Sequence, residues 1–125
     1  PGVQHGVYKK LRLGKYRIDA ILDLHQMRVQ QAREQVFTFI QEAVDLNLRT
    51  VSILHGKGQL NNKSGEGSLL KGYVNHWLRE INSVLAFHSA QPIHGGTGAT
   101  YVLLKKSSEK KRENRLRYNK GRIDY

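Results

Sequence analysis

Residues 18–24, Ile18-Asp19-Ala20-Ile21-Leu22-Asp23-Leu24, alternate closely enough to be a strand, with Ala20, Leu22 and Leu24 on one face. The period then changes. Val29, Ala32, Val36, Phe39, Ile40, Ala43 and Val44 recur at helical spacing, with Arg33, Gln35, Gln41 and Glu42 on the far side. Asn47 is suited to ending that helix in a left-handed conformation. Thr50-Val51-Ser52-Ile53-Leu54 reads as a short buried strand running into His55-Gly56-Lys57-Gly58. A second helix is expected from about Ser68, its N-cap, with Leu69, Leu70, Tyr73, Val74, Trp77, Leu78 and Ile81 on the apolar face. Ser83 to His88 and Ala99 to Leu104 read as two more strands, joined by the turn-rich stretch Gln91–Gly98. The order β-α-β-α-β-β predicts an α/β two-layer sandwich. Its four-stranded mixed sheet has an antiparallel last strand and is covered by two helices.

This block, residues 18–104, fills most of a 125-residue chain, enough for one domain and too short for a two-domain enzyme. The net charge of +11 lies outside it. Residues 1–17 form a basic arm with Lys9, Lys10, Arg12, Lys15 and Arg17 and no acid. Residues 105–125 form a basic tail, including Lys110, Lys111, Arg112, Arg115 and Arg117. Between them the signs balance. A neutral globule between two basic arms suits a polyanion, DNA or RNA, gripped through its phosphates. A membrane surface is disfavoured, because no basic amphipathic helix with a broad apolar face is visible. Leu11, Leu13 and Tyr16 are expected to lie over the first strand. The tail is expected to be partly helical, since only Leu116 and Tyr118 would anchor a helix capped by Ser107 or Ser108. The absence of cysteine excludes disulfides, thiol nucleophiles and thiolate zinc sites, and suits a cytoplasmic protein. The chain begins Pro1-Gly2-Val3 and is expected to be part of something longer.

Ligands of open α/β sheets bind beyond the carboxyl ends of parallel strands. His25, His55 and His88 each fall at such an end, and His94 lies in the following loop. Asp23 and His25 are two apart, so a strand projects both from one face. The carboxylate then either prepares the imidazole for proton transfer or only pins the turn. Gly56 and Gly58 flank Lys57, and Gly95, Gly96 and Gly98 precede the last strand. Both loops suit close approach to a phosphate, or simply a turn. Strict alternation places His55 on the core side with Val51 and Ile53. No spacing demands a protein-held metal.

Three motifs in this order resemble the Smr (small MutS-related) domain, a nuclease module: Asp23-Leu24-His25, His55-Gly56-Lys57-Gly58 and Gly95-Gly96-Thr97-Gly98-Ala99. The likeness covers residues 18–104 and is strongest to stand-alone bacterial members regarded as DNA endonucleases. It implies a fold similar to the C-terminal domain of translation initiation factor three. It also implies cleavage of DNA or RNA, with action at ribosomes in some members. Asp23 and His25 match the motif tied to cleavage. His55 to Gly58 match the one tied to catalysis and substrate binding. The usual glycine after the first motif is Gln26 here.

The expected function is therefore an endonuclease. His25 is the general acid or base, oriented by Asp23, and His55 is its counterpart or a phosphate ligand. Lys57 and the amides around Gly56 and Gly58 stabilise developing charge. A 2′-hydroxyl permits metal-free cleavage of RNA, whereas DNA cleavage favours a divalent metal such as magnesium or manganese. The alternatives are a non-catalytic nucleic-acid- or ribosome-binding module, and a basic adaptor for acidic proteins.

Overall fold

The computed structural model describes residues 4–57 and 66–105, with side chains from all of these but 66–68. In chain order the elements are α1 (His5–Arg12), β1 (Ala20–Asp23), α2 (Val29–Asp45), β2 (Thr50–Leu54), α3 (Glu66–Glu80), β3 (Val84–Ser89) and β4 (Ala99–Leu104). Two 3₁₀ turns, Pro92–His94 and Gly96–Gly98, connect β3 to β4. The sheet order is β1-β2-β4-β3. β1 and β2 are parallel, with Asp23 opposite Leu54. β4 is antiparallel to both β2 and β3. The carboxyl ends of β1, β2 and β3 and the start of β4 consequently share one edge. The mixed sheet and its antiparallel last strand are those expected from the sequence.

The alternation read in residues 18–24 is realised. Leu24 is fully buried, and Ala20 and Leu22 pack on the same core. On that face α2 contributes Ala32, Val36, Ile40 and Ala43, and α3 contributes Leu70, Val74, Trp77 and Leu78, against Val51, Ile53, Val102 and Leu104. Each fully buried valine, leucine or isoleucine there contributes about 1.5–3 kcal/mol. Asn47 ends α2 as expected, at φ 64°. The Leu48 N–H bonds the Ala43 carbonyl at 2.9 Å and the Asn47 N–H bonds that of Val44 at 3.0 Å, a Schellman ending. α3 starts at Glu66, two residues before the expected cap, so Ser68 lies inside its first turn.

The arm contains a helix that the sequence pattern does not announce. In α1, Val7 and Leu11 are four apart on one stripe, and Leu11 is 1% exposed. They pack against β3 and β4, with Ala90, Ala99, Tyr101 and Leu103, rather than over β1. Leu13 is exposed, Tyr16 joins the same cluster, and Ile21 of β1 stays 61% exposed. The sheet is thus covered fully on one face and over β3–β4 on the other. The tail, 106–125, lies outside the described residues. Among those residues no helix is long and apolar enough to cross a membrane.

Candidate active site at the carboxyl edge of the sheet

After β1 the chain reverses over Leu24–Met27, and the Met27 N–H bonds the Leu24 carbonyl at 3.0 Å. Of the two central residues only Gln26 has a positive φ, 62°, which is the requirement of a type II turn. Asp23 Oδ1 accepts the backbone N–H of His25 at 2.8 Å. The carboxylate therefore fixes the residue that carries the imidazole, through its main chain, and His25 projects into solvent. Gln26 occupies a left-handed position that a glycine fills without steric cost. That conformation costs a side-chain-bearing residue about 1–2 kcal/mol, against about 0.5–1 kcal/mol of extra chain entropy lost by glycine. Gln26→Gly should raise stability by about 0.5–1 kcal/mol, read as a higher urea midpoint. A lower midpoint would show that the glutamine side chain makes a stabilising contact.

On the neighbouring strand, His55 and Gly56 both donate their N–H to the Gly98 carbonyl, at 2.9 and 3.0 Å. The two glycine loops therefore lie directly on each other. A Cβ on Gly98 would stand 2.9 Å from Lys57 Cγ and 3.3 Å from the Gly56 carbonyl carbon, so only glycine fits. The Lys57 side chain continues along the loop. A Cβ on Gly96 would lie 3.9 Å from its ammonium nitrogen. The Gly95, Gly96 and Gly98 amides bond the carbonyls of Pro92, Gln91 and Gly95. The amides of Gly56, Gly95, Gly96 and Gly98, expected to cradle a phosphate, are thus engaged inside the protein. These glycines provide close packing, and the charge at the loop surface is that of Lys57. Gly58 lies outside the described residues.

His55 falls on the core side, as alternation requires, and is 3% exposed. Its Nδ1 is 3.1 Å from the Gly56 carbonyl, which can only accept, so Nδ1 carries the proton. Nε2 then accepts the Thr100 hydroxyl at 2.8 Å. Both ring nitrogens are occupied. Burial lowers its pKa most, the nearby Lys71 charge lowers it further, and the Gly56 carbonyl opposes both. An unfolded chain accepts a proton near 6.5 that the fold refuses. The stability linked to His55 is therefore complete above that pH and lost as pH falls below it, by at most about 1.4 kcal/mol per pH unit. Denaturant midpoints from pH 7.5 to 5 should fall more steeply for the intact chain than for His55→Gln. Parallel curves would remove His55 from the acid response.

The other histidines of this edge are held apart. His88 Nδ1 donates to the Ser89 carbonyl at 2.8 Å, and its ring meets Tyr8 edge-on. His94 Nδ1 bonds the hydroxyl of Tyr101. β3 lies three strand spacings from β1, about 14 Å, so His88 is remote from His25. The structure brings together Asp23, His25, His55, Lys57 and the Gly95–Gly98 loop. Thr100, the partner of His55, is the member that sequence reasoning missed, since a strand threonine carries no signal of its own. Among the described residues no three His, Asp or Glu side chains converge as a metal site would require. Lys9, Lys10 and Arg12 are exposed on α1. The Arg12 carbonyl accepts from Gln91, which places the end of α1 beside this edge. Lys110, Lys111, Arg112, Arg115 and Arg117 lie outside the described residues.

Comparison with known proteins agrees with this architecture. The chain is 46% identical over 119 residues to "Probable DNA endonuclease SmrA" of Escherichia coli K12, covering 95% of this chain and 63% of that protein. It is 36% identical over 104 residues to "Ribosome rescue factor SmrB" of Yersinia enterocolitica, covering 83% of this chain and 54% of the relative. The chain thus spans somewhat more than half the length of these curated relatives. Among solved structures it resembles YdaL, a stand-alone small MutS-related protein from Escherichia coli, with a TM-score of 0.73 and 47% identity over 84% of this chain and 79% of that one. The Smr domain of Thermus thermophilus MutS2 superposes with a TM-score of 0.60 and 32% identity, covering 69% of this chain and 98% of that domain. The Smr domain profile matches residues 22–105, from β1 to the end of β4, and the chain belongs to the Smr domain family.

Proposed function

We propose that this chain is an endonuclease that cleaves phosphodiesters of DNA, with RNA as the competing substrate. The observation that carries the reading is the pairing of two adjacent strand ends. An exposed His25, set by Asp23 in a fixed turn, stands one strand from Lys57 on its glycine knuckle. His25 takes a proton from the attacking water as the water oxygen bonds to phosphorus. The P–O bond to the leaving sugar oxygen breaks, and that oxygen takes up a proton from solvent. The Lys57 ammonium stabilises the charge that develops on the phosphoryl oxygens. His55 acts as a positioning residue, neutral and bonded to Gly56 and Thr100. The exposed bases of α1, together with the basic residues of the tail sequence, grip the backbone without reading sequence. The name of the Escherichia coli SmrA relative supports the DNA substrate, and a cytoplasmic location is part of the same proposal.

A second reading, a ribosome- or nucleic-acid-binding module without catalysis, is favoured by one observation. Three of the four edge histidines, His55, His88 and His94, have structural partners inside the protein. The SmrB relatives are named ribosome rescue factors. Purified protein incubated with supercoiled plasmid, and in parallel with single-stranded RNA, separates the readings. Nicked or cut product supports the endonuclease and names its substrate. Tight binding of both with neither cleaved supports the module.

A further inference from the structure

Gln91, immediately after β3 and Ala90, makes connections in three directions. Its side-chain Nε2 donates to the carbonyl of Arg12, the last residue of α1, at 2.8 Å. Its backbone N–H donates to the Tyr101 hydroxyl at 3.1 Å. Its carbonyl accepts the N–H groups of His94 at 2.8 Å and Gly96 at 3.0 Å. From the other side Gly14, at φ 70°, closes on the same hydroxyl. A Cβ there would stand 2.7 Å from the Tyr101 oxygen and 3.2 Å from Gln91 Cγ. Tyr101 is 1% exposed, so its hydroxyl depends on these protein partners.

The Gly95–Gly98 loop is therefore fastened at both ends. Gln91 holds its start, and at its end Gly98 receives the His55 and Gly56 amides, with Lys57 lying along it. α1, which precedes the residues matched by the family, is joined to that loop through one side chain. We propose that Gln91 is a positioning residue that couples the docking of α1 to the order of the Gly95–Gly98 loop and Lys57, making α1 a wall of the cleavage site. Its functional meaning rests on the endonuclease reading. Lys9, Lys10 and Arg12 are then held in fixed relation to Lys57, so the phosphates gripped by α1 flank the one that is cleaved.

Amide hydrogen exchange on the free protein tests this coupling with two independent variants. Gln91→Met keeps the length and packing of the side chain and removes only the donor to Arg12. Loss of one such bond should speed exchange in α1 about fivefold. The amides of His55, Gly96 and Gly98 should accelerate by a similar factor, with α2 unchanged. Gly14→Ala displaces the Tyr101 hydroxyl from the helix side and should give the same pattern, about tenfold or more. Loop amides that stay within twofold while α1 loosens would make α1 a bystander and overturn the proposal. So would exchange unchanged in both regions. No nucleic acid enters the measurement. An intact chain that cuts nothing counts against the endonuclease reading alone.

Discussion

His25→Ala should lower the single-turnover cleavage rate by about 10²–10⁴-fold, the range typical of a general acid or base, while binding and folding stay nearly intact. The imidazole is exposed and follows β1, outside the buried core, so truncating it leaves no cavity. The Asp23 series then assigns the carboxylate. Its oxygen receives the His25 backbone N–H, and the amide oxygen of an asparagine accepts that bond equally well. Asp23→Asn should therefore cost less than tenfold, and Asp23→Ala, which releases the turn, should cost more. An asparagine variant as slow as His25→Ala would show that the negative charge itself acts in the reaction. A loss below threefold on removing His25 would exclude it from proton transfer and favour the binding module.

Most of this edge is legible in the sequence because its residues obey local rules. The two-residue period of 18–24 and the helical period of 29–44 each specify one buried face, and both appear as expected. His55 illustrates where such reading succeeds and stops. Alternation places it on the core side, yet nothing local reveals that Thr100, 45 residues later, occupies its second nitrogen. The glycine motifs show the same division. Their presence marks a close approach, and the contact of Gly98 with Gly56 and Lys57 of the other motif appears only once the chain is folded. Sequence leaves Asp23 open between orienting a ring and pinning a turn, and the bond to the His25 main chain shows the second geometry. α1 is hidden because a helix of eight residues has only Val7 and Leu11 to mark its buried stripe. The five bases in the same arm point to a phosphate grip and carry no sign of a helix. Short helices draw their stability from tertiary packing, and that information lies in β3 and β4.

The placement of α1 decides how the electrostatic grip should be tested. Deleting the arm would strip Leu11 from the β3–β4 face, so a loss of affinity would be confounded with damage to the fold. Replacing Lys9, Lys10, Arg12 and Lys15 by glutamine keeps that packing, because all four side chains are exposed. Lys10 gives up only a cation–π interaction with Tyr16, its nitrogen lying 4.9 Å from the ring centroid. Each base withdrawn from a phosphate should reduce the slope of log affinity against log salt by about 0.9 on duplex DNA, or about 0.7 on a single strand. If all four bases touch phosphates, the duplex slope falls by about 3.6. Between 50 and 200 mM salt the intact chain should then lose on the order of 10²-fold more affinity than the variant. Cleavage at low salt and saturating protein should stay within several-fold, because His25 and Lys57 are untouched. A matching loss from removing 106–125 would assign the same role to the tail. An unchanged slope in the quadruple variant would take α1 off the nucleic-acid path. The grip would then fall to Lys57 and the exposed Arg28 at the start of α2, on the edge proposed for cleavage.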